Sequence, residues 1–189
     1  RFNGTARPGD RVPTLLLKAI EKEHYQGKMR KDKILAILVD FPDYPKNSVS
    51  PELTKMYYPD YTQAHYNDLL FSDKGYAGPN GEKFISMRQF YEQQSGKSYS
   101  VRGQVAGWYT ASKNAAYYGA NATPNTIRDL VKEALIQVAN DPAIDLAQFD
   151  QEDRYDLNGN GNRDEPDGLI DHLMIFHSSV GEEAGGGVG

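Results

Sequence analysis

The chain has 189 residues, enough for one compact domain or for one large lobe of a bigger domain. Its mean hydropathy of -0.67 is typical of a soluble protein, and no apolar run approaches the roughly 20 residues of a membrane-spanning helix, so we exclude membrane insertion. The chain contains no cysteine, which excludes disulfides and thiolate metal sites and leaves oxygen and histidine nitrogen as metal ligands. Because residue 1 is arginine, we expect that the gene starts further upstream.

The net charge of -5 is unevenly distributed along the chain. Residues 1–140 carry 19 Lys and Arg against 14 Asp and Glu, whereas residues 141–189 carry 2 against 12. Carboxylates at this density repel one another, so the acidic segment is either a solvated face or a binding site for divalent cations. With a pI near 5.4 and no stripe of basic and aromatic residues, the chain is not expected to bind nucleic acid.

The first predicted elements lead into one buried strand. Residues 1–12 are rich in Gly, Pro and Arg, which indicates an extended arm, and a short helix is predicted over 12–24. The run from Ile34 to Val39 is uninterruptedly apolar and is closed by Asp40 and Pro42. Such a run is typical of a strand that is buried on both faces of a sheet.

Two helices are predicted next, over residues 60–71 and from Ser86 to Ser95. Ser86 and Gln89 have the spacing of a capping box at the start of the second helix, and Gly96 ends it. The inner face of this helix is expected to carry three apolar side chains, Met87, Phe90 and Tyr91.

Alternating residues over 99–110 predict a strand or hairpin with Gly103 and Gly107 as bends. One side is expected to carry Tyr99, Val101, Val105 and Tyr109, and the other Arg102, Gln104 and Trp108. The following helix is predicted to start with Thr123 as its cap and Pro124 in its first turn. Its apolar stripe is expected to be Ile127, Leu130, Val131, Ala134, Leu135 and Val138.

A last strand is predicted over residues 169–176. The alternation of strands and helices predicts an α/β (α+β) fold, in which a mixed twisted sheet with packed helices forms a single unit over residues 1–189. The glycine-rich residues 181–189 are expected to be a flexible end.

The acidic segment contains a calcium-type loop. It begins at Asp156 and follows the D-x-[DN]-x-[DN]-G start of an EF-hand loop, with Gly161 permitting the sharp turn at position six. Pro166 precludes an ordinary EF-hand exit helix, so we expect a structural calcium loop outside an EF-hand domain. The expected calcium ligands are Asp156, Asn158, Asn160, Asn162, Asp164, Asp167 and Asp171.

Two alternatives accompany this interpretation of the loop. Asp164 or Glu165 would coordinate directly or through water, and Asp171 either completes the coordination or belongs to the following strand. The whole stretch is alternatively an Asn-Gly turn with solvated acids. Five spaced oxygen donors together with glycine at position six are more than a turn requires, which favours calcium.

The chain lacks the sequence signatures of a hydrolytic site. Its four histidines are His24, His65, His172 and His177, and none belongs to H-E-x-x-H. The last two are five residues apart in or beside a strand, so they should point to opposite faces and not share a metal. Such histidines are more often structural, and a position near a cleft is considered first for His177 and less for His24 or His65. There is no G-x-S-x-G motif, and Glu182 and Glu183 remain as candidate site acids, with an exposed acidic loop as the alternative.

Several segments together carry a resemblance to a known family. They are Ile37 to Asp43, Ser86 to Tyr91 with Ser95-Gly96, Gly107 to Tyr109, and Asp156 to His172 followed by Gly181 to Gly187. In this order they resemble the immune inhibitor A metallopeptidases, which are secreted bacterial zincins. The match extends from about Phe2 to the C-terminus.

The resemblance implies that the chain is the N-terminal lobe of a zincin-like peptidase domain. The parent would be a secreted, extracellular, zinc-dependent hydrolase that degrades host or environmental proteins, consistent with a role in virulence. The zinc-binding helix is expected beyond residue 189, so this chain supplies no catalytic residues and is expected to be inactive by itself.

The resemblance also implies partners. The strand near residues 173–180 is expected to hold protein or peptide substrates by strand addition, and the remainder of the same peptidase is expected to pack against the chain. The competing class is a non-catalytic, calcium-binding interaction or adhesion module.

Overall fold

The computed structural model describes residues 27–119 and 126–181. The arm and helix predicted over residues 1–24, the cap at Thr123 and Pro124, and the predicted flexible end from residue 182 onward lie outside these ranges. No helix in the described ranges is long and apolar enough to cross a membrane.

The elements alternate between strands and helices, as predicted, with two short 3-10 turns at Pro51–Leu53 and Leu146–Phe149. In chain order they are β1 (Arg30–Asp40), α1 (Gln63–Phe71), β2 (Tyr76–Ala77), β3 (Lys83–Phe84), α2 (Met87–Gln94), β4 (Tyr99–Thr110), α3 (Ala115–Tyr118), α4 (Thr126–Ala139) and β5 (Leu173–His177).

A parallel sheet in the order β4-β1-β5 organises the described residues. Its central strand is β1, whose residues Ile34 to Val39 are at most 8% exposed, which confirms the prediction of a strand buried on both faces. Antiparallel pairing occurs in a separate ribbon of β2 and β3. The α/β class with packed helices is therefore confirmed.

Two apolar layers cover the two faces of the sheet. The odd-numbered side chains of β1 pack with α4 in a cluster of Leu35, Ile37, Val39, Ala106, Leu130, Ala134, Val138 and Phe149 with their neighbours. The even-numbered side chains pack with α1 in a cluster of Ile34, Ala36, Leu38, Leu70, Phe71, Val101 and Val105. The connection from β1 to β4 and the connection from β4 to β5 run in opposite directions across the sheet. Because crossover connections between parallel strands share one handedness, the helices of these two connections lie on opposite faces of the sheet.

A bulge in β4 overturns the predicted faces of two aromatic residues. Between the ladder positions of Ile37 and Val39, β4 contains one residue more than β1. The bulge lies at Gly107, which has a φ of +95°, and a Cβ there would meet a carbonyl oxygen of β1 at 2.3 Å. Trp108 consequently packs in the α1 layer and Tyr109 in the α4 layer, opposite to the predicted arrangement.

The capping box of α2 is confirmed, but the inner face predicted for this helix is wrong in part. The Gln89 N–H donates to Ser86 Oγ at 3.1 Å, and the Ser86 N–H donates to Gln89 Oε1 at 3.1 Å. Met87 packs against the α1 layer, whereas Phe90 and Tyr91 are 47% and 39% exposed. The half-buried positions of this helix are Met87, Arg88, Gln89 and Glu92, so the face turned toward the rest of the protein is rotated away from the two rings.

Two other boundaries differ from prediction. On α4 the buried stripe is Thr126, Leu130, Ala134 and Val138, so Ile127 lies outside it and is 61% exposed. Strand β5 begins at Leu173, later than predicted, because Gly168 and Leu169 still belong to a bend. Gly168 has a φ of +89°, which is incompatible with a strand.

Candidate functional site

The acidic loop lies between α4 and β5, and its own side chains fold its backbone. Three asparagine Oδ1 atoms each accept the N–H two residues further on, at 3.0, 2.6 and 3.1 Å, and they belong to Asn158, Asn160 and Asn162. Gly159 and Gly161 have φ values of +72° and +81° with open space around them. The turn predicted at position six is thus present, and backbone conformation is what requires glycine there.

The amide groups of the loop converge on one carboxylate. The Nδ2 atoms of Asn158 and Asn160 donate to Glu165 Oε1 at 2.7 and 2.6 Å, and Asn162 Nδ2 donates to Glu165 Oε2 at 2.9 Å. These hydrogen bonds hold the pKa of Glu165 below its ordinary value. Rotating an amide by 180° exchanges its oxygen and nitrogen, so the three positions would present oxygens beside the carboxylate only after releasing the backbone N–H groups that the Oδ1 atoms now accept.

Asp156 closes the first turn of the loop. Its two carboxylate oxygens accept the Gly161 N–H at 3.1 and 3.2 Å, which ties position one to position six. Asp156 itself has a φ of +52°, a conformation that aspartate tolerates better than most residues. Position one, the three asparagines and Glu165 therefore share one small region of the molecule.

The remaining predicted ligands lie elsewhere along the segment. Asp167 Oδ1 accepts the Leu169 N–H at 2.9 Å, and Asp171 Oδ2 accepts the Gln151 N–H at 2.6 Å. Both carboxylates therefore stabilise the backbone between the loop and β5 by accepting N–H groups. Asp164 is exposed and lines a cavity at the N-terminal end of β1.

Two carboxylates that the sequence did not single out hold the base of the loop. Asp153 is 1% exposed, and both of its oxygens lie 2.8 Å from the Leu157 N–H. Asp150 accepts the N–H groups of Asp167 and Gly168, each at 2.8 Å. Both residues precede the loop motif, so the motif gives no signal for them.

A pocket of about 350 Å³ lies beyond the carboxyl ends of β1 and β5, where ligands commonly bind in parallel α/β sheets. Phe41, Tyr44 and Tyr118 line it together with the exposed His177. The His177 ring centroid is 6.1 Å from that of Phe41, and its Nδ1 lies 3.0 Å from Ser179 Oγ. The pocket therefore combines an apolar wall with one exposed imidazole.

The other described histidines lie far from this pocket or among aromatic rings. His65 has its ring centroid 4.2 Å from that of Tyr58, and burial lowers the pKa of His65. His172 precedes β5, and the five residues that separate it from His177 span about 16 Å of extended chain. These positions do not allow the described histidines to hold a catalytic zinc ion together.

The comparison with known proteins decides the family. The sequence model of the immune inhibitor A peptidase M6 catalytic domain matches residues 20–189. The chain belongs to this family.

Two relatives show how the M6 chain compares in length. The pre-pro-metalloprotease PrtV of two Vibrio cholerae O1 strains is 67% identical over 168 residues, which cover 86% of this chain and 18% of PrtV. Immune inhibitor A of Bacillus thuringiensis subsp. alesti is 47% identical over 184 residues, which cover 94% of this chain and 26% of that protein. The chain thus spans about a fifth to a quarter of the length of these relatives.

Membership in family M6 makes the chain part of a metalloprotease family and implies a metal. The described histidines do not fit a catalytic zinc ion, because His172, just before β5, and His177, at its end, are too far apart. The loop around Glu165 brings together carboxylate and amide groups, the residue types whose oxygens calcium prefers, with the amide nitrogens facing Glu165.

Proposed function

We propose that the chain is the N-terminal lobe of the peptidase domain of a secreted, calcium-stabilised zinc endopeptidase. It supplies the sheet, a calcium loop and the rim of the substrate cleft, whereas the zinc ligands lie outside it. The match of the M6 catalytic-domain model over residues 20–189 carries this proposal. The name of the Vibrio relative, a pre-pro-metalloprotease, supports export by way of a precursor.

The calcium ion would be held by Asp156, the amide oxygens of the three loop asparagines, and Glu165. The clustering of the three asparagine side chains around the Glu165 carboxylate supports this ligand set, although their nitrogens face the carboxylate at 2.6 to 2.9 Å and the amides would have to rotate to offer their oxygens. Asp164, Asp167 and Asp171 remain further proposed ligands, and the last two would have to release the backbone N–H groups that they now accept. The ion would neutralise carboxylates that otherwise repel one another before β5.

The cleft rim would be formed by β5 and the pocket at its carboxyl end. Within residues 27–119 and 126–181, β5 pairs only with β1, so its other edge is available there to an extended peptide. The apolar wall of Phe41, Tyr44 and Tyr118 would receive a substrate side chain next to His177. Proteins are the substrates that a protease family implies.

Casein cleavage tests the division of labour between this chain and the rest of the peptidase. We expect no zinc-dependent cleavage by the 189-residue chain, because it contains no H-E-x-x-H motif to bind the ion and activate water. The product of the gene extended through such a motif should cleave casein, and a Glu→Gln change within the motif should abolish cleavage. Cleavage by the pure chain with added zinc would contradict the proposal, and an inactive extended product would favour the calcium-binding adhesion module.

A further inference from the structure

Three metal-ligating side chains meet at the amino end of the sheet. Asp32 lies near the start of β1, His172 immediately precedes β5, and Glu152 belongs to the segment between α4 and the acidic loop. One ligand atom from each lies within 4.8 Å of the other two. The closest pair is Asp32 Oδ2 and His172 Nε2, which are 3.3 Å apart.

The burial of these atoms makes their proximity informative. The Asp32 side chain is 7% exposed and the His172 side chain is 30% exposed, but the His172 Nε2 atom is itself buried, and its 3.3 Å approach to Asp32 Oδ2 does not have hydrogen-bond geometry. Buried polar atoms are rarely left without a hydrogen-bond partner, because each such atom lowers the stability of the folded chain. A cation between the imidazole nitrogen and the carboxylate would satisfy both atoms at once.

The spacing and the donor types indicate the class of metal. Ligands at about 2.0–2.2 Å from a tetrahedral zinc ion lie about 3.3–3.6 Å from one another, which matches the 3.3 Å between Asp32 and His172. Glu152, whose side chain is 22% exposed, needs only a small side-chain movement to reach the same point. An imidazole with two carboxylates suits Zn²⁺, Co²⁺ or Ni²⁺ better than Ca²⁺, which prefers oxygen ligands throughout.

Arg30 now supplies positive charge at this position. Its Nε donates to Asp32 Oδ1 at 2.8 Å, and its guanidinium also bonds Glu152. Lys28 and Lys31 line the same cavity, so positive charge is at hand, but none of these cations bonds the His172 Nε2 atom, which has no hydrogen-bond partner. Because the Arg30 side chain is 57% exposed and borders an open cavity of about 680 Å³, it can move into solvent when an ion enters.

We propose that Asp32, Glu152 and His172 bind one divalent cation of the zinc type, with water completing its coordination. The ion clamps the amino ends of β1 and β5 to the segment that leads into the acidic loop. Its role is structural, because it cross-links three segments that are up to 140 residues apart in sequence.

Zinc titration of the untagged chain by calorimetry tests the site, with calcium in excess so that the oxygen-rich loop is occupied. We expect one saturable zinc site. His172→Gln and Glu152→Gln should each lower the zinc affinity by more than about 100-fold, which is more than the loss that changes to residues behind the metal ligands typically cause. His177→Gln, which alters a histidine at the other end of β5, should leave the affinity unchanged. Arg30→Ala should tighten binding by about tenfold, because a competing positive charge is removed.

Cobalt provides a second measurement with a spectroscopic signature. Co²⁺ should give visible absorption bands in the wild type that are lost in His172→Gln, with circular dichroism confirming that the variant is folded. If His172→Gln does not fold, Glu152→Gln decides, because that side chain makes no buried contact essential to the core. The absence of saturable zinc binding, or equal affinity in the wild type and in Glu152→Gln, overturns the proposal.

Discussion

Removing calcium should lower the melting temperature of the chain by an amount that the loop geometry allows us to estimate. The loop gathers Asp156 and Glu165 around three amides and places the buried Asp153 beneath them. Unit charges brought to about 4 Å at an effective dielectric of about 20 repel by about 4 kcal/mol, and a bound calcium ion reverses that sign. An ion that binds only the folded chain, at a hundred times its dissociation constant, adds about 2.7 kcal/mol. For a chain of this size we expect a shift of about 5–11 °C between calcium and chelator.

Variants separate the effect of calcium from the effect of the side chains themselves. Asp156→Ala removes a proposed ligand and also the acceptor of the Gly161 N–H, so its melting temperature should fall even in chelator. The informative quantity is the difference between calcium and chelator, which Asp156→Ala should abolish and Glu165→Gln should reduce. Asp68→Ala removes an exposed carboxylate on α1 and should leave that difference intact. Magnesium should replace calcium poorly, because it prefers octahedral coordination with several retained waters.

Two outcomes would refute the reasoning. Equal melting temperatures of the wild type in calcium and in chelator would make the loop an acidic turn that its own hydrogen bonds hold together. A full calcium shift in Asp156→Ala would mean that the ion binds elsewhere in the acidic segment. Circular dichroism or calorimetric melts at fixed ionic strength measure both outcomes, since salt screens the same charges.

Three further predictions concern stability. Ser86→Ala should destabilise the chain by about 1–2 kcal/mol in urea titrations, because Ser86 Oγ caps α2 and also donates to the Ser72 carbonyl at 2.6 Å; an unchanged midpoint would contradict this. Gly103→Ala should cost about 3 kcal/mol or more, since its Cβ would meet a β1 carbonyl oxygen at 2.2 Å and the Phe71 ring at 2.4 Å. Gly81→Ala should cost only about 1–2 kcal/mol, because Gly81 has a φ of +84° but open space around it. Equal losses of stability in the two glycine variants would refute the packing argument. Burial raises the pKa of Tyr66 to about 12, so the unfolded chain loses this proton near pH 10 while the folded chain keeps it. The free energy of unfolding should therefore fall between about pH 10 and 12, and it should fall less steeply in Tyr66→Phe than in the wild type. Thermal melts at pH 9 and 11 measure this difference, and the same decline in both proteins would contradict the prediction.

Features that depend on neighbouring residues were predictable from the sequence. The apolar run of β1 has six consecutive members, and only a strand covered on both faces buries all of them. The capping box of α2 involves two residues three positions apart, so its hydrogen bonds follow from local geometry. The turn at Gly161 follows in the same way from the loop motif.

Features that depend on distant contacts were not predictable. One extra residue at Gly107 moved Trp108 and Tyr109 to unexpected faces, because alternation gives no warning of a bulge. The loop motif predicted Glu165 only as a further potential ligand and did not indicate that the asparagine amides converge on its carboxylate, since that convergence arises only when the loop closes. Asp32 and His172 meet because β5 pairs with β1, and no local pattern records that pairing.

Strand β5 connects the metal-binding features to the proposed cleft. It has five residues, none of them fully buried, so its own packing stabilises it weakly. At its start the Leu35 N–H donates to the His172 carbonyl at 3.0 Å, and at its end the Ser178 N–H donates to the Val39 carbonyl at 3.1 Å. The segment before β5 is in turn anchored where the Asp171 N–H donates at 2.9 Å to the carbonyl of Phe149, a residue with no exposed surface. A cation that orders the acidic loop, or one that clamps His172, therefore limits the motion of the strand that carries His177 to the pocket.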